Sequence, residues 1–237
     1  MHSTNYLYKH DEISLHGFVA YDDTQQGPRP LVLIAHDWTG RNEFACLKAE
    51  KLATLGYVGF ALDMYGEGRQ GETNEEKTAL MQPFMVNRRL LRNRVKAAYD
   101  AALKLPEVNP NKIGIIGFCF GGLCALDLAR SGTPLTGVVS FHGLLKAPET
   151  TPEIRALKTK VLALHGYDDP MVSPEQINDF ALEMTALNAD WQIHMYGQTK
   201  HAFTNPLADD PEFGTVYNKT ADFRAWRTMV QFFDEIF

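Results

Sequence analysis

The sequence pattern best suited to chemistry is Gly117–Gly122, which reads GFCFGG and places Cys119 between glycines. A buried apolar run, Ile113–Gly117, precedes it and a helix-like run follows. This is the strand–turn–helix context of the G-x-S-x-G nucleophile elbow, with cysteine in the serine position. Helix N-terminal amides would favour the reactive thiolate there. The alternative is that Cys119 is a small buried apolar residue, as most free cysteines are.

Two later segments could supply the acid and the base that a nucleophile of this kind needs. The turn after the apolar run Val161–Leu164 carries Asp168 and Asp169. The position of Asp169 directly before a proline favours it as the orienting acid, with Asp168 as the fallback. The alternative is that these aspartates only cap the helix that opens near Ser173.

The base is predicted to be His201, in the segment IHMYGQTKHAF near the C-terminal end of the chain. It is the histidine whose position fits the chain order of nucleophile, acid and histidine. On a polar loop after a strand, its imidazole could take the proton of Cys119 and return it to a leaving group.

The loop Ala35–Arg41, AHDWTGR, leaves the first predicted core strand. In a nucleophile-elbow site, the oxyanion hole would be formed by the backbone N–H of Trp38 in this loop and by that of Phe120, the residue after Cys119. Asp37 is a second carboxylate that could point into the site and modulate the thiol. Helix capping and loop hydrogen bonding are an equally good account of Asp37.

Three more histidines, His36, His142 and His165, each end a predicted strand at what should be one edge of the sheet. Such a set can indicate a zinc site. However, no H-x-x-x-H or H-x-H spacing occurs, and residues at strand ends are often ordinary neighbours of a site. We therefore expect no metal and no cofactor.

The elements that position these residues follow from alternating apolar runs and helix-period segments. The predicted core strands are Leu31–Ala35, Val58–Leu62, Ile113–Gly117, Val138–Phe141 and Val161–Leu164. The predicted helices are Asn42–Leu55, Asn74–Leu105, Phe120–Arg130, Ser173–Leu187 and Thr215–Phe237. The repetition of strand and helix predicts an α/β fold with a doubly wound, mostly parallel sheet and helices on both faces.

Two details complete this organisation. The segments Asn5–Lys9 and Ile13–Tyr21 alternate in polarity and should pair as an antiparallel edge. Gly66–Asn74 is the loosest stretch and could be a mobile loop or part of a lid. With no linker composition in the sequence, we expect a single domain over residues 1–237.

Composition narrows the class of protein. The 237 residues include 23 Lys and Arg against 29 Asp and Glu, a formal charge of −6, which suits neither nucleic acid nor an anionic membrane as a partner. Three cysteines are too few for a disulfide framework and favour a reducing compartment. Residues 1–21 contain no apolar run of the signal-peptide type. We therefore expect a cytoplasmic protein.

Together, these motifs resemble the dienelactone hydrolase family of α/β-hydrolases, from about Leu31 to Phe237. The resemblance implies a Cys-His-Asp triad of Cys119, His201 and Asp169 that hydrolyses a small-molecule substrate, the enol lactone of a chlorocatechol-type degradation pathway. In that family a glutamate after the first core strand holds the resting thiol. Asp37 matches that position with a side chain that is one methylene shorter.

The sequence departs from the family where arginines would clamp a substrate carboxylate. Asn205 stands where the arginine after the triad histidine would fall, and Glu76 or Lys77 stands at the other position. The arginines at 88, 89, 92 and 94 belong to the following helix, where a charge run usually forms a solvated face. Because carboxylate clamping needs a bidentate guanidinium, a neutral ester or lactone is the expected substrate.

Two other classes of protein are less consistent with the sequence. A binding or regulatory module could keep the fold without turnover, but the three triad residue types stand in the right order. A dinucleotide-binding oxidoreductase would need G-x-G-x-x-G, and Gly114–Gly117 lacks this pattern. The expected function is therefore a cysteine-dependent hydrolase of activated esters or lactones, with phosphotriesters as a further substrate class.

Overall fold

The computed structural model describes residues 1–149 and 154–237. Its residues fall into two compact units, Met1–Ile116 and Gly117–Phe237. Each unit combines strands and helices, so the predicted α/β class is confirmed. The single domain over 1–237 stays a prediction. No helix in the described part of the chain is long and apolar enough to cross a membrane.

The first unit is built on strands joined in the order β1-β2-β4-β3-β5. They are β1 (His2–His10), β2 (Ile13–Tyr21), β3 (Arg29–Ala35), β4 (Val58–Ala61) and β5 (Val108–Phe118), the last two residues of β5 belonging to the second unit. Strands β1 and β2 pair antiparallel, as expected for the edge, whereas β3 and β4 pair parallel with Leu31 opposite Val58. The two core strands are buried throughout these paired residues, which explains why their sequences are continuously apolar.

Three helices accompany these strands: α1 (Glu43–Ala53), α2 (Asn74–Val86) and α3 (Arg88–Ala102). The prediction of one helix over Asn74–Leu105 is wrong, because the chain leaves helical geometry at Asn87. The side chain of Asn87 instead accepts a hydrogen bond from Leu90 N–H and caps α3. Pro83, which cannot donate a backbone hydrogen bond, lies just before this break.

Hydrogen bonds to Asp63 hold the beginning of the stretch Gly66–Asn74, and its role as a mobile loop or part of a lid stays a prediction. The buried carboxylate of Asp63 accepts hydrogen bonds from four backbone N–H groups, those of His16, Tyr65, Gly66 and Gly68. Gly71 N–H also donates to Thr39 O at 2.9 Å. Hydrogen bonds of this kind oppose loop mobility, and no periodic pattern in the sequence predicts them.

The second unit contains the parallel strands β6 (Gly137–Phe141), β7 (Lys160–Gly166) and β8 (Trp191–Tyr196), in that order. A small antiparallel pair follows, β9 (Asp209–Asp210) with β10 (Thr215–Val216). The helices are α4 (Phe120–Arg130), α5 (Pro174–Ala186) and α6 (Lys219–Ile236). The helix predicted to start at Thr215 therefore starts four residues later, because Thr215 and Val216 form a strand.

The core of this unit is formed by α4 and α6 against the strands. Every residue of α4 is buried, which accounts for its nearly uniform apolar sequence. Helix α6 contributes one apolar face that includes Met229 and Phe233. Helix α4 begins directly after β5, and Cys119 is the single residue between them.

Candidate active site

Cys119 is the single residue between β5, which ends at Phe118, and α4, which starts at Phe120. Its backbone has φ 53° and ψ −117°, a conformation that residues with a side chain rarely adopt. The strain is held by hydrogen bonds: Cys119 N–H donates to Phe141 O at 3.1 Å, and Cys119 O accepts from Gly122 N–H at 2.9 Å. Strained backbone of this kind costs about 1–3 kcal/mol and is concentrated at functional sites.

The flanking glycines are required by close approach of backbone segments. A Cβ on Gly117 would lie 2.0 Å from Gly121 O, and a Cβ on Gly122 would lie 2.7 Å from Gly143 Cα. Backbone atoms cannot move aside as a flexible side chain can. The turn that exposes the sulfur is therefore possible only with these glycines.

Asp169 follows β7 in a turn and lies in the protein interior. Its Oδ2 is 2.7 Å from Nδ1 of His201, and its Oδ1 accepts a hydrogen bond from Met171 N–H at 2.8 Å. Both carboxylate oxygens are thus occupied, which fixes the direction in which the acid points. Asp168, the fallback of the sequence analysis, is exposed to solvent.

His201 is anchored through its backbone to the strand pair that follows it. Its N–H donates to Gly214 O, and its carbonyl accepts from Val216 N–H, each at 3.0 Å. The side chain is 1% exposed. The loop therefore holds the ring rigidly while Asp169 orients it.

The electrostatics of His201 favour its cationic form. Burial alone would lower the pKa of His201, but the charge of the Cys119 sulfur and hydrogen bonds to Asp169 and Cys119 raise it to about 10. Nε2, the nitrogen not used by Asp169, has no hydrogen bond of regular geometry within the described residues. His201 therefore has a hydrogen bond to Asp169 and an electrostatic interaction with Cys119.

A second imidazole, His142, packs edge-on against His201, with ring centroids 5.1 Å apart and an angle of 67°. Its Nε2 is 2.8 Å from Oγ1 of Thr204, and its ring also packs on Phe203. The sequence singled out His142 only as the end of a strand, and it gave no signal for Thr204. Their proximity to His201 depends on packing between separate segments.

The two other strand-end histidines have different surroundings. His36 donates from Nδ1 to Asp37 O at 2.5 Å and accepts at Nε2 from Met64 N–H, so it is a satisfied interior residue. His165 is buried, which lowers its pKa, and its ring nitrogens have no hydrogen-bond partner among the described residues. No three His, Cys, Asp or Glu side chains in residues 1–149 and 154–237 could together hold a metal ion.

The loop after β3 belongs to the first unit. Oδ1 of Asp37 accepts a hydrogen bond from Thr39 N–H at 2.8 Å, as expected if Asp37 stabilises the loop. The carbonyl of Trp38 accepts from Tyr65 Oη at 2.8 Å, and Lys77 Nζ lies 5.5 Å from the centre of the Trp38 ring. These contacts fix the backbone of the loop.

Asn205 and Glu76, which stand where the family would have arginines, take part in local hydrogen bonds. Oδ1 of Asn205 accepts from Leu207 N–H at 3.0 Å and stabilises a turn. The carboxylate of Glu76 caps α2 by accepting from the N–H groups of Glu72 and Thr73. The expectation of a solvated arginine face is wrong for Arg94, which is buried and donates to Met64 O at 2.7 Å.

All three cysteines lie in the described part of the chain and are free thiols. Cys124 is buried in α4. Cys46 is half-buried, which raises its pKa, and it accepts a hydrogen bond from Arg41. Neither surrounding resembles the elbow of Cys119.

Several known proteins are similar to this chain in sequence and in fold. The model of the dienelactone hydrolase family matches residues 15–237. A solved structure of a dienelactone hydrolase-like promiscuous phosphotriesterase, P91 from metagenomic libraries, superposes with a TM-score of 0.95 at 35% identity, covering 100% of this chain and 98% of that one. A putative dienelactone hydrolase from Klebsiella pneumoniae has the same fold, with a TM-score of 0.80 at 22% identity and 98% of each chain covered.

Among curated proteins, a putative carboxymethylenebutenolidase from Aquifex aeolicus is 26% identical over 226 residues, 93% of each chain. These similarities extend over almost the whole length and agree with the α/β architecture. The chain belongs to the dienelactone hydrolase family of hydrolases.

Proposed function

We propose that this protein hydrolyses activated, neutral carboxylic esters and lactones with Cys119 as nucleophile, His201 as acid and base, and Asp169 as the orienting acid. The observation that carries the proposal is the 2.7 Å bond between Asp169 and His201. It is supported by the electrostatic interaction of the same ring with Cys119, which lies at a strained turn. Nucleophile, base and orienting group in this relation are the signature of covalent catalysis.

The first half of the reaction forms an acyl-enzyme. The Cys119 thiolate attacks the carbonyl carbon, making a C–S bond and a tetrahedral oxyanion. The oxyanion collapses, the C–O bond breaks, and the imidazolium of His201 gives its Nε2 proton to the departing oxygen. The products are the alcohol and a thioester on Cys119.

Water completes the cycle. Neutral His201 takes a proton from water at Nε2 as the water oxygen attacks the thioester carbonyl. Collapse of the second tetrahedral adduct releases the carboxylic acid and restores the thiolate and imidazolium. Asp169 stays ionised throughout and stabilises the charged ring.

The proposed oxyanion hole uses the N–H of Phe120, at the start of α4, and the N–H of Trp38 in the loop after β3. Support comes from the motif, in which the residue after the nucleophile and a loop after an early strand supply the donors. Asp37 is proposed to modulate the thiol through its charge. Asp37→Asn tests this, because the amide keeps the hydrogen bond to Thr39 and removes the charge; a changed rate of thiol alkylation is expected.

The nature of the nucleophile sets the substrate class. A thiolate leaves more readily than an alkoxide, so an adduct with a poor leaving group returns to substrate. Aryl esters, enol esters and strained lactones should therefore react, and amides should not. The turn formed by Asn205 supports neutral substrates, because its side chain is committed to Leu207 N–H.

Phosphotriesters are a second candidate substrate class, favoured by the similarity to a promiscuous phosphotriesterase. Attack of the thiolate on phosphorus would expel an aryl oxide, which His201 protonates. Water would then cleave the P–S bond. A good leaving group is needed for the same reason as for esters.

The test is turnover of p-nitrophenyl acetate, a dienelactone, an aryl phosphotriester and a p-nitroanilide by wild type, Cys119→Ala and a matched Cys46→Ala control. We expect turnover of the acetate, little of the anilide, and a loss of at least ~10³-fold only in Cys119→Ala. Equal turnover by wild type and Cys119→Ala would overturn the proposal. No turnover of any substrate would favour a binding module that keeps the fold.

A further inference from the structure

We infer that His142 is a positioning residue for His201 and acts mainly after the acyl-enzyme has formed. The inference rests on the proposed function, since it concerns the proposed base. His142 takes no direct part in the proposed reaction steps. Four observations support the inference: its strained backbone, its buried ring, its hydrogen bond to Thr204 and its contact with His201.

The backbone of His142 has φ 40°, in the left-handed region that favours glycine. Such strain persists only where surrounding contacts over-determine it. Here the N–H of His142 donates to Leu164 O at 2.8 Å. The next residue, Gly143, is so close to Gly122 that a Cβ would lie 2.8 Å from Gly122 Cα. The strained position is therefore built into the turn that supports the elbow.

The side chain projected from this turn binds the loop that carries the proposed base. The His142 ring is 2% exposed, and Thr204, which pairs with it at 2.8 Å, is 1% exposed. The same ring meets Phe203 at 5.1 Å between centroids, nearly perpendicular. One imidazole thus fixes two consecutive residues just after His201.

The ring also restricts His201 directly. Its edge-on contact, with centroids 5.1 Å apart, places the His142 ring directly against the His201 ring. Edge-to-face pairs of this kind have a preferred geometry and resist displacement. His142 therefore limits rotation of the base, while Asp169 orients it through Nδ1.

The importance of this restraint changes during the reaction. In the free enzyme, the electrostatic interaction with the Cys119 sulfur also restrains His201. Acylation converts the sulfur to a neutral thioester and removes that interaction. For water attack the ring must then hold its position without the sulfur, and Asp169 and the His142 contacts restrain its side chain. Loss of His142 should therefore slow deacylation more than acylation.

Stopped-flow hydrolysis of p-nitrophenyl acetate tests this inference with His142→Asn, because asparagine tolerates φ above zero but removes the ring. We expect acylation within about threefold of wild type, one p-nitrophenolate per enzyme in the burst, and deacylation slowed about 10- to 100-fold. Deacylation within twofold of wild type overturns the inference. So does equal slowing of both steps, which a general structural defect would produce.

Variants of Thr204 provide a second route that leaves the strained turn intact. Thr204→Val removes the hydroxyl bound to His142 and should slow deacylation in the same direction. Thr204→Ser keeps the hydroxyl and should restore it to within about twofold of wild type. Deacylation unchanged in Thr204→Val would contradict the part of the inference that depends on this hydrogen bond.

A readout independent of hydrolysis separates this inference from the proposed function. In a Cys46→Ala background, methyl methanethiosulfonate converts Cys119 to a neutral disulfide that imitates the charge of the thioester. The downfield NMR signal of the Nδ1 proton shared with Asp169 should stay sharp in the blocked enzyme and broaden when His142→Asn is added. A sharp signal in both overturns the inference, whatever the outcome with Cys119→Ala.

Discussion

Nδ1 of His201 lies 2.7 Å from Oδ2 of Asp169, and both side chains are buried. The other carboxylate oxygen is bound to Met171 N–H. This arrangement ties the ring to one orientation and directs Nε2 away from the acid. A charged, buried hydrogen bond of this length is among the stronger polar contacts in proteins.

The first prediction concerns that bond. Asp169→Asn keeps the shape of the side chain but can present an N–H to Nδ1, which selects the wrong tautomer of His201. We expect kcat for p-nitrophenyl acetate to fall by ~10²–10⁴-fold. Asp168→Asn is the matched control, since Asp168 is the exposed neighbour, and it should stay within about twofold of wild type. A larger loss in Asp168→Asn would reverse the assignment of the acid.

The second prediction is a pH dependence of stability. The pKa of His201 is raised from 6.5 to about 10 by the charge of Cys119 and by its hydrogen bonds, against the effect of burial. Below pH 6.5 the folded and unfolded states both hold the proton, so the full stabilisation is present. Between 6.5 and 10 only the folded state holds it, and the stabilisation declines as the pH rises.

The measurement is urea unfolding of wild type and His201→Gln at several pH values from 6 to above 10. The difference in free energy of unfolding between the two proteins isolates the contribution of His201. It should be largest near pH 6 and shrink toward pH 10. A constant difference across this range would show that the proton on His201 is not linked to folding.

A third prediction tests the close approach at the elbow. Because a Cβ on Gly117 would lie 2.0 Å from Gly121 O, Gly117→Ala should destabilise the protein by more than ~2 kcal/mol and impair activity. Gly197→Ala is the control, as a Cβ there meets no described atom within 4 Å. Denaturant midpoints of both variants provide the comparison, and equal midpoints would contradict the steric argument.

The fourth prediction concerns Asp63, whose carboxylate accepts four backbone N–H groups. Asp63→Ala leaves these donors without their acceptor and should cost about 2–4 kcal/mol in free energy of unfolding. Amide hydrogen exchange of residues 64–68 should accelerate. Asp22→Ala, which removes an exposed turn acceptor for Thr24 N–H, should cost much less. Similar losses would show that burial of the Asp63 network is unimportant.

Local pattern was sufficient wherever neighbouring residues decide the structure. The strand before Cys119 and the helix after it could be predicted from the sequence, because strands and helices have different hydrophobic periodicities. Helix α5 was predicted over Ser173–Leu187 and spans Pro174–Ala186, since Ser173 supplies the cap and Pro174 suits the first turn. The prediction of one helix over residues 74–105 failed because Asn87 ends α2 and caps α3.

The amino-acid order alone identified the thiol, the acid and the imidazole as candidates. The thiol could be identified because it lies between a strand and a helix, each of which is recognisable from a short stretch of sequence. Only the tertiary structure decided that Asp169 rather than Asp168 meets His201, and that His142 and Thr204 flank the same ring. These contacts join residues 32 to 62 positions apart in the chain. Such distant pairs depend on how β6, β7 and the later loops pack, which no local periodicity encodes.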